Sequence, residues 1–272
     1  MSKLLRANFV RLFKNRLFHF CTIFIFAAAV LAVFNQAKYN EVIDGMLFSG
    51  IAIVSVVSAV FISIFTGAEY SGGTMRNKLC TGHSRIAVYG ANLAVCTTSA
   101  LIMHIILIAA VVCFGIPVIG KITLSFSEIT AMFLISVLVV TAYASVYILF
   151  GMLITSKAAG AVSAVILSFL LIISADTLER IVNAPEYRPD FFIDEKSETG
   201  SSAEFVPNSN YPTGTKRKVM EIALNIMPSG QALQISGGEP PENAAELPLY
   251  AIADIAVTTT AGILIFRRKD LK

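Results

Sequence analysis

Six apolar runs set the pattern of the chain, at residues 17–34, 46–66, 89–115, 128–154, 158–175 and 247–266. One bilayer crossing by a helix takes roughly 20 apolar residues, and each run is close to that length. Backbone in lipid must satisfy its own hydrogen bonds, so such runs are either helices or strands of a closed barrel. Barrel strands alternate apolar and polar positions, and these runs do not. The pattern predicts an all-α polytopic membrane protein with six transmembrane helices. The first run follows basic residues, as a signal peptide would. It is longer than the roughly 7–15 residues of a signal h-region, and it reads as a retained span.

Composition agrees. The 272 residues are 56% hydrophobic and only 14% charged, against about 25% charged in a soluble domain. The net charge of +3 is small, and its distribution says more than its sum. Lys3, Arg6, Arg11, Lys14 and Arg16 precede the first run. Arg76, Lys78 and Arg85 follow the second, Lys157 follows the fourth, and Arg267, Arg268, Lys269 and Lys272 follow the last. The opposite short loops hold only Lys38 and Lys121. Lys and Arg in short loops mark the cytoplasmic side, which predicts N- and C-termini both cytoplasmic. The basic residues form no groove of the kind that binds nucleic acid.

The segment 176–246 then lies outside. It is about 70 residues, too long for a simple connection. Asp190, Asp194, Glu195, Glu198 and Glu204 make it acidic, and 195–214 is rich in Ser, Gly, Asn and Pro, which predicts a mobile loop. Residues 176–182 suit a short helix with Asp176 as N-cap. Val219, Ile222, Ala223 and Ile226 share one face of a second helix over 215–227, ended by Pro228. Together these predict an extracellular helical cap between helices 5 and 6. At the other extreme of the chain, Leu5, Phe9, Leu12 and Phe13 fall on one helical face of residues 1–16. They predict an amphipathic N-terminal interfacial helix on anionic headgroups; the alternative is a plain basic flank.

Chemistry-bearing motifs are few. No GxxxxGK[ST] phosphate loop is present, since Gly72-Gly73-Thr74 lacks the following lysine. HExxH, GxSxG and CxxC are absent as well. Cys21, Cys80, Cys96 and Cys113 do not suggest a disulfide framework or a zinc site, and His19, His83 and His104 are dispersed. An enzyme reading lacks a site, and no metal or cofactor is expected in this chain.

The segment from Gly67 to Gly90 carries most of the information. Glu69, the flexible Gly72-Gly73 pair and the basic residues Arg76, Lys78 and Arg85 suggest a helix–turn–helix projecting into the cytoplasm, with Thr74 able to cap the second helix. The pattern Gly67-Ala68-Glu69, Gly73-Thr74, Arg76, Ser84-Arg85 resembles the cytoplasmic loop of type-2 ABC exporter permeases. The basic helix before the first span, the long outer loop after the fifth and the ending Gly262…Phe266-Arg267-Arg268-Lys269-Asp270-Leu271 are similar too. The chain departs from the family pattern at Asn92, near where many members carry a lysine.

The resemblance implies a single permease domain over 1–272, with an interfacial helix at 1–16, a coupling loop at 67–88 and an extracellular loop at 176–246. It implies pairing with a second permease copy and docking on a cytoplasmic ABC ATPase subunit that binds ATP and Mg. Glu69, Gly73, Thr74 and Arg76 would then serve coupling, with Ser84 and Arg85 opening the third span. Compact permeases of this kind are associated with export of, or immunity to, amphipathic peptides such as toxins and bacteriocins. Drugs, lipids and polysaccharide precursors stand as alternative cargoes. A non-transporting membrane sensor or scaffold, whose outer cap binds a ligand, stands as an alternative function.

Two intramembrane residues are candidates for a translocation path. Asp254 lies about seven residues into the last run and His104 in the outer half of the third, at depths about 6 Å apart. A mid-membrane carboxylate costs about 2.5–3.5 kcal/mol on insertion scales, so it faces protein or water. Either the two line a path, or they are structural hydrogen-bond partners. The small residues Ala158, Ala159, Gly160, Ala161, Ser163 and Ala164 fit either a homodimer contact or packing within one subunit.

Overall fold

The computed structural model describes residues 2–39, 42–192, 202–208 and 211–270. A short helix α1 (Ser2–Phe13) is followed by α2 (Arg16–Gln36). A 3-10 turn at Asp44–Met46 leads into α3 (Ile51–Ser71), then come α4 (Thr74–Cys80), α5 (Arg85–Val118), α6 (Phe126–Leu153) and α7 (Lys157–Val182). A hairpin of β1 (Tyr187–Phe192) and β2 (Ser202–Pro207) precedes α8 (Gly214–Ile226), α9 (Pro228–Gln234) and α10 (Leu247–Arg268). Helices α2, α3, α5, α6, α7 and α10 are each long and apolar enough to cross a membrane. The protein is an α-helical multi-pass membrane protein.

Polar residues at the ends of the apolar runs fix where the helices begin. The Asn15 side chain accepts from Leu17 N, Ser84 from Ala87 N and Ser156 from Ala159 N. Ser125 and Glu128 form a reciprocal capping box at α6, satisfying two otherwise orphan donors. Asn183 closes α7, and Gly73, at φ +66°, breaks the chain between α3 and α4, a conformation open to glycine at little cost.

Helices α3 and α6 form the centre. More than half of each is covered by protein, against about a third or less of the other spans. α3 packs on α6 and α7, α6 on α10 and α5, and α5 on α2 and α1. At the α3–α6 seam Ser55 bonds Tyr147, both buried, while Phe61 of α3 turns to Phe18 of α2. Close approach needs small residues. A Cβ at Gly151 would overlap the Thr66 hydroxyl, and one at Gly262 would overlap the Tyr89 ring. The small residues of α7 act likewise: Gly160, Ala164 and Ser168 are buried, and Gly160 lies beside Ser63 of α3. Among the two readings of that stripe, packing within one subunit accounts for these contacts. The opposite side of α7, with Val162, Ile166, Phe169 and Ile173, is exposed.

The sequence-based boundaries shift in two places. The second helix starts after Gly50 and runs five residues past Thr66, because Glu69 is neutralised inside the protein (below). Residues 176–182 are no separate helix capped by Asp176. They continue α7 without a break, helped by an Asp176–Arg180 ion pair of 2.9 Å one turn apart. Pro228 does stop α8, whose last residue is Ile226 with Met227 extended before the proline, and it is at the same time the first residue of α9, a position where its missing N–H costs no bond. The outer segment is also not purely helical, since β1 and β2 pair antiparallel from Tyr187↔Pro207 to Phe192↔Ser202. Of the stretch expected to be a mobile loop, 195–201 and 209–210 lie outside the described residues.

Helix α1 follows its expected periodicity with a rotated face. Leu4, Asn8 and Leu12, four residues apart, are buried against α5; Leu5 and Phe9 flank them and Phe13 is exposed. A polar residue at the centre of that face is unusual, and its partners explain it.

Candidate functional site

The functional candidates cluster at the end of the bundle that carries the basic residues. Glu69, on the last turn of α3, has no exposed surface. Its Oε1 accepts from Arg11 of α1 and from Lys78 of α4. Its Oε2 accepts from Asn92 Nδ2 of α5 at 2.8 Å. Asn92 Oδ1 accepts from Asn8 Nδ2 at 2.8 Å, and Asn8 Oδ1 accepts from Lys78 Nζ at 2.9 Å. Glu69, Asn92, Asn8 and Lys78 thus close a hydrogen-bonded ring drawn from four helices. Arg11 also lies over the Phe65 ring, 3.7 Å from its centroid.

A buried carboxylate is tolerable only when paired and hydrogen-bonded, and both conditions hold here. Burial lowers the pKa of the Lys78 ammonium, and the Glu69 carboxylate, which raises it, offsets only part of that shift. One carboxylate faces two cations, so the cluster as a whole is positive.

The remaining loop residues divide by what they touch. Thr74 does not cap α4: Gly73 occupies the cap position, and the Thr74 hydroxyl donates to the Glu69 carbonyl at 3.1 Å. Its side chain cannot serve the helix it begins, because it fastens the bend behind it. Ser84 caps α5. Arg85 Nη1 donates to the carbonyls of Phe266, at 2.9 Å, and Lys269, tying α5 to the end of α10. Lys269 Nζ in turn donates to Met152 O and Leu153 O, both at 2.8 Å, satisfying carbonyls that the end of α6 leaves open. Arg76 and Asn77 face outward and are exposed, while Met75 beneath them is buried. Beside them opens a cavity of about 500 Å3 bounded by Tyr70, Gly73, Met75, Arg76, Thr155 and Asp270.

The structure therefore brings Glu69, Gly73, Thr74 and Arg76 together but gives them different surroundings. Glu69 and Arg85 are internal fastenings, and Arg76 alone of the charged candidates presents its side chain outward from α4. Sequence reasoning missed Asn8, Arg11, Lys78 and Asn92 as members of the cluster. Two signals were there to read: an asparagine on the apolar face of α1, and another inside the third apolar run.

His104 and Asp254 do not meet. His104, fully buried, bonds through Nε2 to Ser136 Oγ of α6 at 2.8 Å. Asp254 Oδ2 accepts from Gln231 Nε2 of α9 at 3.4 Å. Similar depth placed them at one level, but their helices turn them toward different neighbours. The core holds further polar links on two sides of α6: Ser55–Tyr147 at 2.6 Å and Tyr147–Ser168 at 2.8 Å toward α3 and α7, and Ser145–Thr258 at 2.7 Å toward α10.

Helix α9 lies among these helices. It packs against α3, α6, α7, α8 and α10, and Pro228–Ala232 are buried. Ser229 Oγ donates to Leu171 O at 2.7 Å. Leu171 lies eleven residues before the last residue of α7, so α9 reaches about 16 Å down from that helix end. Helix α9 is thus packed among the other helices, while α8 contacts α7, α9 and α10 and has Leu224 as its one buried residue.

Among the described residues, no group of three or more His, Cys, Asp or Glu side chains is placed to hold a metal ion. No family model matches this chain, and no curated protein matches it.

Proposed function

We propose that this chain is the membrane-spanning permease subunit of an ATP-driven ABC exporter. Its basic end faces the cytoplasm, in keeping with the distribution of Lys and Arg. A separate ATPase subunit binds ATP and Mg and docks against α4, and a second copy of the chain completes the path. The observation that carries this reading is the ring around Glu69. It fastens a seven-residue helix with an exposed outer face to α1, α3 and α5 at once. A push on α4 therefore reaches three other helices, which is what a coupling element requires. In this reading Arg76 touches the partner, while Glu69 and Thr74 hold α4 in place.

The cargo that fits best is an amphipathic peptide, with drugs, lipids and polysaccharide precursors as alternatives. Two polar groups, Ser55–Tyr147–Ser168 on one side of α6 and Ser145–Thr258 on the other with Asp254 one turn away beside α9, offer polar partners along otherwise apolar helices. One observation favours a sensor instead: a polar cavity of about 520 Å3 at the outer end, bordered by Glu179, Arg217, Glu221, Asn225 and Glu246.

The test is ATP-driven peptide uptake into inverted vesicles holding the chain with its ATPase, with two variants at Asp254. Asp254→Asn keeps a partner for Gln231 and is expected to retain most uptake. Asp254→Leu removes it and is expected to reduce uptake at least tenfold. Normal uptake by a well-folded Asp254→Leu protein would remove Asp254 from the path, and the absence of any ATP-driven uptake by the unmodified complex would count against the exporter reading.

A further inference from the structure

Two cavities adjoin beside the last turn of α10. One, of about 500 Å3, is lined by Leu153, Leu264, Ile265, Arg268 and Lys269. The other, of about 240 Å3, is lined by Leu264, Arg267 and Arg268. Leu264 and Arg268, one turn apart on α10, border both, so the two cavities lie on either side of one ridge that Arg268 tops.

We propose that the larger of these two cavities is a binding site for one anionic phospholipid, its phosphate held by Arg268 with Arg267 adding charge beside it, and an acyl chain lying along Leu264, Ile265 and Leu153. The inference needs only that α10 crosses a bilayer, and it does not rest on the exporter reading.

The first argument is height. α10 has 22 residues and is therefore about 33 Å long, close to the roughly 30 Å of a hydrocarbon core. Its last two residues, Arg267 and Arg268, come directly after the apolar stretch and so stand at headgroup level, with Leu264 and Ile265 one turn deeper.

The second argument is charge. The cations packed nearest α10 are engaged: Arg85 on the carbonyls of Phe266 and Lys269, and Lys269 on those of Met152 and Leu153, as are Arg11 and Lys78 on Glu69. Arg267 and Arg268 are exposed, and among the described residues no hydrogen bond or ion pair holds either of them. A helix C-terminus ordinarily repels an anion. Here Lys269 occupies the open carbonyls of α6 and Arg85 those near the end of α10, so the two guanidinia are left to face an anion. The nearby carboxylate of Asp270 borders the separate cavity beneath α4. Guanidinium groups present a planar fork suited to phosphate oxygens.

The third argument is the apolar wall. Leu264 is 52% exposed and Ile265 45% exposed, and they continue the larger cavity toward the membrane centre. A free phosphate has no use for such a wall, while an acyl chain covers it.

Native mass spectrometry of the full chain, in micelles holding equal amounts of phosphatidylglycerol and phosphatidylcholine, tests the site. The unmodified chain is expected to retain one phosphatidylglycerol in preference to phosphatidylcholine. The double variant Arg267→Gln with Arg268→Gln is expected to lose that preference about tenfold. A control with the same loss of charge elsewhere, Lys216→Gln with Lys218→Gln on exposed positions of α8, is expected to keep it. Unchanged thermal midpoints in both variants would show that the fold survives. Equal loss in the two double variants, or no loss in the first, would overturn the proposal. Displacement of the lipid by inorganic phosphate at equal concentration would do so too, because it would identify a bare anion site.

Discussion

Replacing Glu69 with alanine is expected to destabilise the protein by about 3–5 kcal/mol, the range found when one partner of a buried ion pair is removed. The carboxylate has no exposed surface and takes hydrogen bonds from three side chains on three different helices. Without it, Arg11 and Lys78 remain in a largely buried site with no anion, and Asn92 loses its acceptor. Thermal unfolding in detergent would show the loss as a lower midpoint. Glu69→Gln is expected to recover part of it, since an amide oxygen still accepts from Asn92 or Lys78 but cannot neutralise two cations. The ring predicts coupling between its members as well. The cost of Asn8→Ala and the cost of Asn92→Ala should sum to more than the cost of the double variant, because the two side chains share one hydrogen bond. Strict additivity would mean that the ring does not act as a unit.

The second large effect is expected at Gly230. This residue sits in α9 where its backbone meets the end of α8, and an added Cβ would overlap the Leu224 carbonyl oxygen, a backbone atom that cannot swing aside. Gly230→Ala therefore has to move α9 relative to α8. Overpacking in a tight site costs about 1–3 kcal/mol, and a clash with backbone belongs at the upper end. Gly237 supplies the control, since a Cβ there meets nothing within 4 Å. Gly230→Ala is expected to lower the thermal midpoint clearly and Gly237→Ala to leave it nearly unchanged. If the two variants behave alike, α9 is not wedged in the bundle as described.

Six spans were legible because membrane insertion depends on a property that each run carries by itself, its apolarity over about 20 residues. Helix ends were less legible, since apolarity stops before the helix does. α3 continues through Glu69 because partners far along the chain neutralise it, and α7 continues past Ala175 because polar residues can finish a helix outside the apolar run. The site was legible in part. Glu69, Thr74 and Arg76 stand out in one short segment, and their different surroundings follow from contacts that segment cannot reveal. Asn8 and Asn92 lie 84 positions apart and meet at 2.8 Å; nothing in one sequence sets that distance. The pairing of His104 with Asp254 failed for a related reason. Residue counting gives depth along a helix but not the direction in which a side chain leaves it.

The exporter reading stands or falls on a partner docked at α4. The most direct measurement is purification of the full chain in mild detergent from the membranes of cells that make it, followed by identification of the subunits that stay bound and assay of ATP hydrolysis. The prediction is an ATP-hydrolysing subunit in equal number with the chain, lost on Arg76→Glu while the thermal midpoint of the permease is kept, because Arg76 is exposed on α4 and takes no part in the ring around Glu69. Recovery of the chain without any ATP-hydrolysing subunit, or a complex indifferent to Arg76→Glu, would contradict it.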